Sequence, residues 1–114
     1  MSDCIFCKII AGEIPSDKVY EDEEVFAFRD IAPQVPVHVL VIPKAHIASA
    51  DGVTRENSDA VRAVFEAIPK VAEALGVTDR YRLINNCGEA VGQTVRHLHF
   101  HLLAGTDALS EKLV

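Results

Sequence analysis

The chain has 114 residues, of which 49% are hydrophobic and 25% charged, with a formal net charge of −6. That length holds one domain, residues 1–114, with a sizeable core, and the composition excludes a disordered chain. The acidic balance without Lys/Arg clusters argues against adhesion to nucleic acid or anionic membrane, and the absence of a long apolar run or a basic leader leads us to expect a cytoplasmic protein.

Near the start, Cys4 and Cys7 stand in a C-x-x-C spacing, which in a reducing compartment points to metal binding or redox chemistry more than to a structural disulfide. Cys87 stands apart and reads as a small buried hydrophobe or an unpaired thiol. Ile5, Phe6, Ile9 and Ile10 form the apolar stripe of a short helix over Ile5–Ala11 that Gly12 ends. After the turn-prone Ile14-Pro15-Ser16-Asp17, Val19–Glu21 and Val25–Phe28 read as a hairpin joined by Asp22-Glu23-Glu24. His38–Ile42 is a continuous apolar run closed by Pro43, the pattern of a central strand buried on both faces.

Val61, Val64, Phe65, Ile68 and Leu75 recur at helical spacing, which predicts one long helix over Thr54–Leu75 with Gly76 as its stop and a kink at Pro69. Arg80–Asn86 alternates polar and apolar residues and reads as a fourth strand. The fifth is His97-Leu98-His99-Phe100-His101-Leu102-Leu103, in which alternation puts three imidazoles on one face, spaced by roughly 7 Å. Three of the five His in one heptapeptide make this the candidate chemical centre, because His titrates near neutrality and ligates metals. The expected architecture is α+β: a five-stranded antiparallel sheet with one long and one short helix, the helices on a single face.

These residues resemble a known family. His97–Leu103 is similar to the His-φ-His-φ-His-φ-φ signature of the histidine-triad (HIT) superfamily, and the chain as a whole resembles its Hint branch of nucleotide-binding phosphoramidases. The resemblance extends in order through Cys4–Ile10, Gly12–Ser16, Phe28–Gln34, Val41–Lys44 with His46, and Gly92–Val95. It implies a five-stranded antiparallel sheet, a homodimer and a purine nucleotide bound beside the triad.

A neutral imidazole is a suitable nucleophile toward an anionic phosphorus centre. The resemblance assigns that role to His99, with His101 hydrogen-bonding the phosphate or managing the leaving-group proton and His38 in support. It makes Asp30 the ribose partner, has Phe6, Ile9, Phe28 and Ile31 wall the base, and puts Gln93, Thr94 and Asn86 at the phosphate. For Phe6 and Ile9 an ordinary core role competes with that reading.

Some bacterial members of the family pair the C-x-x-C with the His after the Pro-Lys motif and the first triad His, here His46 and His97, which implies a structural Cys2His2 zinc site. Cys4 and Cys7 as small buried residues are the alternative. The expected activity is hydrolysis of nucleoside phosphoramidates or acyl and aminoacyl nucleotides at the α-phosphate through a nucleotidyl-histidine. A dinucleoside polyphosphate hydrolase and a nucleotide-sensing module with incidental activity are the competing readings. One departure is the C-terminal stretch Ala108–Val114, which lacks the aromatic tail often found in the Hint branch.

Overall fold

The run from Val37 to Pro43 is buried along almost its whole length, as a strand flanked on both sides and covered on both faces must be. Around this strand, β3, the computed structural model, which describes residues 3–110, builds one antiparallel sheet. The others are β1 (Lys18–Glu21), β2 (Val25–Arg29), β4 (Arg82–Ile84) and β5 (Phe100–Ala104), in the order β1-β2-β3-β5-β4. All four pairings are antiparallel, as the short connections predict. The β1–β2 turn closes as expected, with Asp22 Oδ1 accepting the backbone N–H groups of Glu24 and Val25, both at 2.8 Å.

Pleating sorts each strand into two chemical faces. Val25, Ala27, Val39, Val41, Leu102 and Ala104 face the long helix α2 (Ser58–Leu75), which presents Ala63, Val64, Ala67, Ile68, Val71 and Ala72. Phe26, Phe28, Leu40 and Ile42 face the other way and pack on Phe6 and Ile9 of the short helix α1 (Ile5–Ile10). The two helices therefore cover opposite faces, not a single one. The reason lies in β2 and β3, which are apolar at consecutive positions and so have two faces to bury.

α2 begins at Ser58 and not Thr54, because Asn57 holds the preceding turn: its Oδ1 accepts from the Thr54 N–H at 2.7 Å and its Nδ2 donates to the Gly52 carbonyl at 3.0 Å. At the far end Gly76 adopts a left-handed φ of 72° as the C-cap. Pro69 lies inside the helix, which continues through it. The carbonyl that Pro69 leaves without an N–H belongs to Phe65, half-exposed and within reach of water.

The histidine strand is shorter than its alternation predicts. β5 pairs from Phe100 onward, opposite Val41 of β3 and, from His101, opposite Ile84 of β4. Upstream of Phe100 the ladder gives way to individual contacts: the Leu98 N–H donates to the Ile47 carbonyl, and the His99 carbonyl takes the Asn85 side-chain amide. His97 and His99 thus sit on an irregular lead-in to the strand. Among the described residues no helix is long and apolar enough to cross a membrane. Of the C-terminal stretch, residues 111–114 lie outside the described residues.

Candidate active site

The three triad imidazoles stay on the α1 side of the sheet, as alternation requires, but they do not share one environment. His97 is fully buried, and its Nε2–H donates to the Pro43 carbonyl at 2.8 Å. That leaves Nδ1 as a bare lone pair, aimed at the C-x-x-C. Nδ1 lies 3.3 Å from Cys4 Sγ, 3.6 Å from Cys7 Sγ and 3.2 Å from His46 Nδ1, while Cys7 Sγ lies 3.4 Å from His46 Nδ1.

Two sulfurs and two nitrogens around one tetrahedral ion, at about 2.3 Å and 2.0–2.1 Å, stand roughly 3.3–3.8 Å apart. The observed separations match that spacing, so Cys4, Cys7, His46 and His97 could hold a metal ion. Cys4 Sγ also accepts the Cys7 backbone N–H at 3.3 Å, an orientation that suits a thiolate. Burial, and then the hydrogen bond and charge of Cys4, push the Cys7 thiol up to about 11, so the pair calls for a cation to ionise together.

His99 differs from His97 in the nitrogen it spends. Its Nδ1–H donates to the carbonyl of His97 at 2.7 Å, which leaves the Nε2 lone pair free. Its ring is buried against the edge of Phe6, 5.2 Å between centroids, and stands 5.1 Å from the ring of His101. Phe6 lies between the two cysteines in sequence and touches His97 as well, so the segment that carries the cysteines also packs both imidazoles.

His101 receives its tautomer from further away. The Gln34 backbone N–H donates to His38 Nδ1 at 3.1 Å, so in the neutral ring the proton sits on His38 Nε2. His38 Nε2–H donates in turn to His101 Nδ1 at 2.8 Å, leaving His101 with a proton on Nε2. Burial, then the neighbouring His99 and His38, hold His101 below its ordinary value, while Asp30 opposes them. Asp30, His38 and His101 also cluster closely enough to suggest a cation site. With both nitrogens engaged, however, His38 has no lone pair to give an ion.

Asp30 receives the Ala32 N–H on Oδ1 at 2.8 Å and sets Oδ2 3.6 Å from His38 Nε2, at the rim of a cavity of about 280 Å³. Phe6, Ile9, Phe28 and the wholly exposed Ile31 wall the cavity on one side, with Thr94, His99 and His101 on the other. The expected base and ribose residues therefore meet His99 and His101 in one place, while His97 faces the cysteines and His38 stands behind His101. Phe6 and Ile9 serve core and cavity at once.

Gln93 does something else. Its buried amide donates to the Ala48 carbonyl at 2.8 Å and the Val95 carbonyl at 3.0 Å, and its oxygen accepts from the Gly88 N–H at 2.8 Å and Arg96 Nη1 at 3.2 Å. With donors and acceptors spent, Gln93 braces the loop that presents Thr94 and has no hydrogen bond left for a phosphate. Asn86 is half-buried beyond β4 and does not line the cavity; its neighbour Asn85 makes the site contact, donating to the His99 carbonyl at 2.9 Å. Two adjacent Asn carry identical local signals in the sequence, and only the twist at the end of β4 decides which one faces the triad.

A sheet in the order β1-β2-β3-β5-β4, with a His-x-His-x-His segment entering β5 beside a largely apolar cavity, defines a histidine-triad protein. A family model for the HIT domain matches residues 11–108, and the chain belongs to that family. It is 47% identical over 104 residues to the purine nucleoside phosphoramidase of Escherichia coli K12, covering 90% of this chain and 87% of that one. Among solved structures it resembles a HIT family hydrolase from Clostridium thermocellum, with a TM-score of 0.94, 50% identity and coverage of 100% and 99% of the two chains. It also resembles a histidine triad nucleotide-binding protein from Candida albicans, with a TM-score of 0.83 and 36% identity over 92% of this chain and 76% of that one.

Proposed function

We propose that this protein is a hydrolase that cleaves nucleoside phosphoramidates or acyl nucleotides of purines at the α-phosphate, with His99 as the nucleophile. The observation that carries the reading is the His99 Nδ1–H to His97 carbonyl bond at 2.7 Å, which frees Nε2 in a cavity that also holds Asp30 and Thr94. The similarity to the E. coli purine nucleoside phosphoramidase supports it.

In this reading the base lies between Phe28, Ile31 and Ile9, and the ribose hydroxyls donate to Asp30. His99 Nε2 attacks phosphorus, and the phosphorus–nitrogen bond breaks with its electron pair on the amine nitrogen. The amine takes a proton from His101. Water then attacks the phosphorus of the nucleotidyl-histidine, returns a proton to His101 and releases the nucleoside monophosphate and Nε2. Burial, then the neighbouring His99 and His38, disfavour a charged His101, but an anionic phosphate in the cavity joins Asp30 in opposing that push and lets the ring carry the proton that turnover moves. The Thr94 hydroxyl and the loop backbone donate to the phosphoryl oxygens, and Gln93 keeps the loop in place.

Cys4, Cys7, His46 and His97 would hold zinc as four protein ligands, which would pin α1 to the sheet and leave the reaction to His99 and His101. Two chains form a homodimer, which sedimentation equilibrium tests. The function is tested by comparing an AMP–amine conjugate with a diadenosine polyphosphate, and by quenching the reaction to trap nucleotidyl-histidine. Preferred turnover of the conjugate with label on His99 is expected. Full turnover by His99→Ala, or preference for the dinucleotide, overturns the proposal.

A further inference from the structure

A second cavity, of about 390 Å³, adjoins the first. The two share Ile5, Thr94 and Val95 as lining residues, so they meet at the loop that faces His99. The first continues from that point toward Asp30 and the apolar base wall. The second continues the opposite way, past Cys4 and His46 to Arg96 and Asp3. Arg96 is the one Lys or Arg on its lining.

Arg96 is held in a particular way. Its Nη1 donates to Gln93 Oε1 at 3.2 Å, and Gln93 is buried and bonded on both sides of its amide. The guanidinium is thus tethered at one corner by a neutral oxygen, and among the described residues no carboxylate pairs with it. The other cationic partners near the sheet are spent: Lys18 and Lys44 on Glu21, Arg29 on Asp17 and Arg62 on Glu66. A tethered, unneutralised guanidinium at the edge of a cavity is suited to a carboxylate, which it can meet with two parallel N–H groups.

Resting on the phosphoramidase reading, we propose that this second cavity is the leaving-group subsite, and that Arg96 selects nucleotide conjugates whose departing amine carries a carboxylate. With the nucleoside toward Asp30 and the phosphate between His99 and Thr94, a substituent on phosphorus directed away from the nucleoside passes Thr94 into this space. A free carboxylate two or three bonds beyond the nitrogen then comes within reach of the Arg96 guanidinium. Asp3, on the same lining, repels conjugates whose anion sits elsewhere and favours those that also bear an ammonium group.

The test compares hydrolysis of two adenosine phosphoramidates that differ only in charge, one made with glycine and one with glycinamide. The wild-type protein is expected to favour the glycine conjugate by about tenfold in kcat/KM, the factor one charge-assisted hydrogen bond supplies. Arg96→Gln brings the ratio near one, Arg96→Glu inverts it, and Arg96→Lys, which keeps the charge but not the fork, retains part of it. Raising the salt concentration lowers the wild-type ratio and leaves the Arg96→Gln ratio where it is. Turnover of both conjugates with a ratio indifferent to Arg96 overturns this inference and leaves the phosphoramidase reading standing. Turnover of neither conjugate overturns both.

Discussion

The carbonyl oxygen of His97 accepts the Nδ1–H of His99 at 2.7 Å, while the ring of His97 faces Cys4, Cys7 and His46. One residue therefore belongs to two sites: its side chain completes the Cys2His2 cluster, and its backbone sets the tautomer of the next histidine. Phe6, between the cysteines, strengthens the link by packing on both rings.

Metal removal should reach both sites at once. Protein purified without a His tag is expected to contain about one zinc per chain. Exhaustive chelation is expected to lower Tm by more than about 5 °C, since a loss of ~1 kcal/mol moves a domain of this size by several degrees. Turnover should fall with it, because His97 loses the ligand that holds its ring. Calorimetry and a phosphoramidate assay on the same chelated sample check this, and an unchanged Tm removes the structural role of the cluster.

Gln93 and Thr94 are adjacent and should respond differently. Gln93→Ala strips partners from the Ala48 and Val95 carbonyls and the Gly88 N–H, all half-buried or in a braced loop, and is expected to cost about 2–4 kcal/mol of stability. Thr94→Ala, at an exposed position on the cavity rim, should leave urea unfolding within about 0.5 kcal/mol and lower kcat/KM by tenfold or more. Equal stability losses in the two variants contradict the division of labour.

Asn85 offers a test of positioning. Its amide holds the His99 carbonyl at 2.9 Å without touching the cavity. Asn85→Ala is expected to cost about 1 kcal/mol of stability and to lower kcat several-fold while KM stays near its original value. Asn85→Asp, which sets an acceptor against an acceptor, should be worse on both counts. Steady-state kinetics with parallel urea melts separate the effects.

The pH dependence of stability follows from His101. Burial, with His99 and His38, holds the folded ring below its ordinary value of 6.5, and Asp30 opposes them only in part. Between the folded value and 6.5 the unfolded chain binds the extra proton, so the contribution of this ring is complete above about pH 6.5 and is lost as pH falls through the folded pKa. Thermal melts of zinc-replete protein from pH 7.5 to 5 should show Tm falling on acidification. His101→Gln should flatten that slope, and an unaltered slope would place the proton elsewhere.

Strand and helix identity came directly from local patterns: backbone geometry enforces alternation in β4 and the histidine segment and a period of about 3.6 in α2 wherever one face is buried, and the continuous apolar runs of β2 and β3 mark strands buried on both faces. The histidine row, the C-x-x-C and the candidate base wall were legible for the same reason: they are residue types at spacings. What local pattern cannot carry is long-range pairing. That α1 lies across the sheet from α2, that β5 begins only at Phe100, that Asn85 and not Asn86 meets the triad, and that Gln93 is consumed within its own loop are decided by partners up to 93 residues away, as Cys4 is from His97. The sequence by itself determined that three imidazoles would share a face. Only the tertiary structure gave them different work, because a histidine's chemistry depends on which nitrogen is already spent: Nε2 on the Pro43 carbonyl for His97, Nδ1 on the His97 carbonyl for His99, and Nδ1 on His38 for His101.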